Sequence, residues 1–125
     1  MSFKTDNVLI GEVIILVITV AGDLRDPLID QRINAGMGAV LSEEIAPRYV
    51  VMDVSGLKHI DSAFFGKLIA MHLRCEKARG NFLIVGPNDH LKERIQIFKL
   101  DEDLLVFDGI SSALQHLDQL WDGTN

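Results

Sequence analysis

A single cysteine, Cys75, stands in 125 residues, so no internal disulfide braces this chain. It lies beside Leu73 in a stretch of helical spacing and reads as a buried filler. No apolar run reaches the about 20 residues a bilayer span needs. The most apolar one, Val13 to Val20, is short and bracketed by Glu12 and Asp23. It has no basic stretch before it and no small-residue cleavage site after it, which argues against a signal peptide and makes the cytoplasm the expected location. Lys and Arg never cluster and the net charge is −6, so neither nucleic acid nor a membrane is expected as partner. The phosphate-cradling Gly-x-x-x-x-Gly-Lys loop and the Gly-x-Ser-x-Gly elbow are both missing. His59, His72, His90 and His116 fall on separate predicted elements without metal-ligand spacing. No metal and no cofactor are therefore expected.

Linkers, repeats and low-complexity tracts are missing as well, which predicts one domain over residues 1–125 with its core over about 8–121. Only the polar ends, Met1 to Asn7 and Asp122 to Asn125, are expected to fray. What remains is a regular alternation of short apolar runs and longer amphipathic ones. Val13 to Val20 reads as a strand covered on both faces, and residues before Gly11 as an added edge strand. Asp26-Pro27 opens a helix whose inner face carries Ile29, Ile33, Met37, Val40 and Leu41. Gly36 and Gly38 weaken that helix, and a close approach to the sheet would account for them.

Tyr49 to Val54 is the next strand, followed by a polar loop from Ser55 to Ile60. The helix after it runs from Asp61-Ser62 to Arg79, with Phe65, Leu68, Ile69, His72 and Leu73 inward and Lys67, Arg74 and Lys77 outward. Gly80 stands where a left-handed helix cap is expected. Phe82 to Val85 makes a strand, a helix follows with Leu91, Ile95 and Phe98 inward, and Leu104 to Phe107 makes the last strand. A closing helix carries Ala113, Leu114, Leu117, Leu120 and Trp121. The pattern predicts an α/β domain with a mostly parallel sheet of four to five strands and about four helices.

Asp53 ends its strand at the edge where such sheets usually place their sites, and Asp61-Ser62 follows at a helix start. Residue chemistry alone accounts for Asp61 and Ser62 as helix caps. A catalytic triad of Ser62, His59 and Asp53 or Asp61 finds little support, since no elbow presents the serine.

The segment Asp53-Val54-Ser55-Gly56-Leu57, followed by Ile60-Asp61-Ser62, resembles the signature of the STAS domain, found in sulfate transporters and anti-sigma factor antagonists. Gly22-Asp23-Leu24 resembles that family's loop after the second strand, and Phe82 to Pro87 its strand and turn before the third helix. Leu104 to Phe107 with Ser111 to Leu114 resembles its closing strand and helix. The resemblance implies a single STAS-like domain acting as an anti-sigma factor antagonist, a non-enzymatic regulator of transcription. Ser62 would be the phosphorylated residue and Asp53 a supporting carboxylate. The partner surface would comprise Gly22, Asp23, Leu24, Asp26, Asp61, Ser62, Ala63 and Phe64. The partner implied is an anti-sigma factor and serine kinase of the histidine-kinase-like ATPase class, with the chain itself a monomer or weak homodimer. The family commonly reads Asp-Ser-Ser-Gly-Leu-Gly where this chain has Asp61-Ser62-Ala63-Phe64-Phe65-Gly66. Phe64 then either packs against Leu57 or stands exposed as an anchor for a different partner. The alternative readings are a scaffold subunit of a stress-signalling assembly and a stand-alone domain regulating a transporter.

Overall fold

The β-branched run that opens at Val13 extends to Asp23 as strand β2, and the residues before Gly11 pair with it antiparallel as β1 (Phe3–Ile10). The computed structural model describes residues 2–44, 47–100 and 104–123, with side chains placed as far as Leu120. After β2 come α1 (Pro27–Leu41), β3 (Tyr49–Lys58), α2 (Ser62–Lys77), β4 (Asn81–Val85), α3 (Asp89–Ile97), β5 (Leu105–Phe107) and α4 (Ile110–Gly123). The strands lie in the order β1-β2-β3-β4-β5, and β2 to β5 run parallel. The α/β class, the mostly parallel sheet, its edge strand and the four helices are all as the pattern predicts.

Each of the three parallel connections steps one strand the same way, so crossovers of one hand leave α1, α2 and α3 on one face of the sheet. Strand alternation then divides the core. Ile18, Val20, Val50, Met52, Phe82 and Ile84 point into the larger cluster beneath α1, α2 and α3. Ile15, Val17, Val51, Leu83 and Val85 point the other way, onto Ala113 and Leu117 of α4. The continuous apolar runs follow from this two-sided burial.

Several local expectations fail for identifiable reasons. Most of the stretch expected to fray at the N-terminus is strand, because Phe3 packs on the larger core and faces Gly36 of α1. A side chain at Gly36 would meet that ring, whereas Gly38 faces open space. β3 does not end at Val54. Its ladder with β2 shifts by one residue after Thr19, so exposed Ser55 and Gly56 lie between Val54 and Leu57, both buried in the larger core. The left-handed residue closing α2 is Arg79, at φ 61, not Gly80. The Gly80 N–H bonds back to the Cys75 carbonyl, completing a Schellman-type end. Gly80 answers a different need: a Cβ there would overlap the carbonyl of Arg48, the acceptor of the Asn81 N–H.

α2 is also rotated from its expected setting. Phe65 and Leu68 are buried as expected, but Phe64, Met71 and Cys75 join them, while Leu73 is 57% exposed and His72 half-buried. Arg74, expected in solvent, donates to the carbonyls of Leu41 and Glu43 and so satisfies the end of α1. Phe98 is exposed although its ring stands 5.3 Å from that of Phe65. Leu120 is exposed too, and the side chain of Trp121 lies outside the described residues.

Candidate functional site

Parallel pairing brings the C-terminal ends of β2 and β3 to one edge of the sheet, and their following loops are adjacent there. Asp23 pairs with Lys58 in the ladder, and the Leu24 N–H donates to the Lys58 carbonyl at 3.1 Å. Gly22, at φ 122, turns β2 toward α1 in a conformation that side chains rarely adopt. A Cβ there would also stand 2.8 Å from Ile29 of α1. Asp26 caps α1 as expected, accepting from the Leu28 N–H at 3.0 Å, with Pro27 at the first helical position.

Asp23 gathers two side chains, Arg25 and His59. Arg25 reaches it through Nη2 at 2.8 Å, through Nε at 3.1 and 3.2 Å, and through its backbone N–H at 2.9 Å. His59 Nδ1 lies 3.2 Å from the second carboxylate oxygen. The Arg25 hydrogen bonds hold the Asp23 carboxyl well below the usual carboxylate range, and the guanidinium is raised in turn. His59 adopts φ 47, a left-handed turn that carries the chain off the end of β3 toward α2. Neither Arg25 nor the His59–Asp23 contact was singled out by sequence reasoning; an Asp-x-Arg spacing was the available signal for the first.

Asp61 is the N-cap of α2. Its carboxylate accepts from the Phe64 N–H at 2.8 Å, and its carbonyl accepts the first helical bond, from the Phe65 N–H at 3.1 Å. Ser62 follows as the first helical residue, is exposed, and its hydroxyl has no hydrogen-bond partner among the described residues. The cap is thus supplied by Asp61, and Ser62 is left over. The free backbone N–H groups of this first turn and the helix dipole create a positive local field in front of that hydroxyl.

A second carboxyl, Asp30 of α1, meets Asp61 across the seam between α1 and α2. The hydrogen bond between the two carboxyls, with burial second, raises Asp30 above the ordinary aspartate value; Asn34 and Lys67 pull it back. The Asn34 amide holds it at 2.6 Å. Asp30 was invisible in the sequence because an acid in the first turn of a helix is an ordinary dipole partner.

Asp53, expected near Ser62, is on the other side. It stands two residues beyond Val51, opposite Val85, and so on the sheet face that carries α4. Its carboxylate is taken by the Ser55 N–H at 3.0 Å and the Ser55 hydroxyl at 2.7 Å. Of the other predicted site residues, Asp26 and Ala63 are exposed and Gly22, Asp23 and Asp61 are half-buried. Leu24 is buried in the larger core.

The anchor reading of Phe64 is overturned: it is 0% exposed and shares the larger core with Leu57. The Asp61 cap fixes the start of the helix so that its third residue points inward. No triad is assembled either, since His59 is engaged by Asp23 and the Ser62 hydroxyl has no base beside it among the described residues. No group of three metal-ligating side chains converges among the described residues, and none of their helices is long and apolar enough to cross a membrane.

Known structures share this architecture. Phosphorylated SpoIIAA, a Bacillus cell-fate determinant, superposes with a TM-score of 0.68 at 17% identity, over 93% of this chain and 99% of its own. An anti-sigma factor antagonist from Mycobacterium paratuberculosis does so at 0.67 and 22% identity, over 92% and 93%. A sulfate transporter family protein from Wolinella succinogenes gives 0.68 at 21% identity, over 86% and 88%. At these identities the likeness speaks for the fold. No curated protein matches the chain in sequence. The model of the STAS domain, however, matches residues 10–113, from the end of β1 into α4 and across both loops of the Ser62 edge. The chain is a member of the STAS domain family.

Proposed function

We propose that this chain is an anti-sigma factor antagonist, a non-enzymatic binding module that Ser62 phosphorylation switches off. The observation that carries the reading is the division of labour at the start of α2. Asp61 caps the helix, so the exposed Ser62 hydroxyl has no structural task and is free to be modified. Superposition on a structure of SpoIIAA in its phosphorylated form, and on an anti-sigma factor antagonist, supports the same reading.

The local physics suits a reversible switch. Phosphate at the first helical residue is favoured by free N–H groups and the dipole, so the fold survives it. It also adds about −1.5 to −2 charges next to Asp61, whose carboxyl is already crowded by Asp30. A partner docked over Ser62, with Asp26, Ala63 and the Asp23–Arg25 pair at its margin, meets new negative charge and bulk and is expelled. Leu24 and Phe64 support this surface from beneath, and the Asp53 carboxylate takes no part in it. The partner is an anti-sigma factor that is also a serine kinase of the histidine-kinase-like ATPase class, whose sequestration releases a sigma factor. Incubation with the cognate kinase and ATP, followed by mapping of the phosphate, tests the assignment. Modification at Ser62 is expected; phosphate on another residue, or none, rejects it.

A further inference from the structure

We propose that the free edge of β1 is an interface between two copies of this chain, which pair antiparallel about a two-fold axis through Thr5. The other end of the sheet is closed by β5, only three residues long, whereas β1 offers eight, from Phe3 to Ile10. Lys4, Thr5, Asp6 and Asn7 are all exposed, and the strand has neither a proline nor a ladder irregularity to protect it.

The register follows from the ladder. The Ser2 carbonyl accepts from the Ala21 N–H, which sets even-numbered residues of this segment toward β2. Antiparallel strands alternate their bonding direction, so the N–H and C=O groups of Phe3, Thr5 and Asn7 point outward. Pairing two copies through Thr5 uses those groups. It also places Lys4 of each copy opposite Asp6 of the other in the non-hydrogen-bonded pairs, where Cα atoms approach to about 4.5 Å. Within one chain Lys4 and Asp6 already stand 3.3 Å apart on one face, so the dimer joins two such pairs into a four-charge network. Shifting the axis to Asp6 sets two carboxylates against each other, and shifting it to Asn7 sets Lys4 and Asp6 against apolar Ile10 and Val8. The self-complementary charges select a second copy as the occupant.

Analytical ultracentrifugation at high micromolar concentration tests this. The unaltered chain is expected to sediment as a dimer, and Thr5→Pro, which removes an outward N–H, as a folded monomer by circular dichroism. Lys4→Glu alone and Asp6→Lys alone, each placing like charges together, are expected to be monomers. Mixed one to one they restore both opposite-charge pairs and are expected to form the dimer. A monomeric unaltered chain, a dimer that survives Thr5→Pro, or a mixture that fails to pair each overturns the proposal.

Discussion

The carboxyl groups of Asp30 and Asp61 meet across the α1–α2 seam, and the Asp61 side chain simultaneously caps the helix whose first residue is Ser62. The start of α2 is therefore held by a contact that is easier to make when one carboxyl keeps its proton. Because Asp30 is raised in the folded chain, this contact stabilises below the ordinary aspartate range and is lost as pH rises through the raised value. Asp30→Asn supplies a neutral donor to Asp61 at every pH. The substitution should raise stability at neutral pH by under about 1 kcal/mol, the scale of a solvent-screened pair, with no gain near pH 3. Urea unfolding from pH 3 to pH 8 measures it; a gain that persists undiminished at pH 3 contradicts the shared proton.

Asp61 and Ser62 are expected to behave unlike each other in stability. Asp61→Ala removes a cap and should cost about 0.5–2 kcal/mol, at the lower end near neutral pH because Asp30 is relieved. Ser62→Ala should stay within about 0.5 kcal/mol of the unaltered chain. Equal losses from the two substitutions, by chemical denaturation, would return Ser62 to the role of a cap.

Phe64 and Leu73, nine residues apart on α2, give a contrast of their own. Phe64→Ala opens the largest core and should cost about 3–5 kcal/mol, while Leu73→Ala, at an exposed position, should change stability by less than about 0.5 kcal/mol. Thermal and urea unfolding report both; a small effect at Phe64 contradicts its burial.

Much of the fold is legible in the sequence. The two-sided apolar strands, the Asp26-Pro27 helix start and the Asp61-Ser62 start are local signals, and local chemistry decides them. What failed was decided at a distance. The rotation of α2 follows from its packing against sheet and α1, with Arg74 reaching the end of that helix, and periodicity alone left two adjacent stripes open. The bulge after Asp53 puts Leu57 on the opposite sheet face from that carboxylate, within a stretch whose polar residues read as a loop. Asp30 joined the site only because two helices, separate in sequence, lie side by side.

The binding constant of the anti-sigma factor for this chain, with Ser62 unmodified and fully phosphorylated, tests the central claim most directly. Phosphorylation is predicted to weaken binding at least about a hundredfold, roughly 2.7 kcal/mol, while the thermal unfolding midpoint stays nearly unchanged. Equal affinity of the two forms, or a loss of affinity that tracks a loss of folding, contradicts the switch.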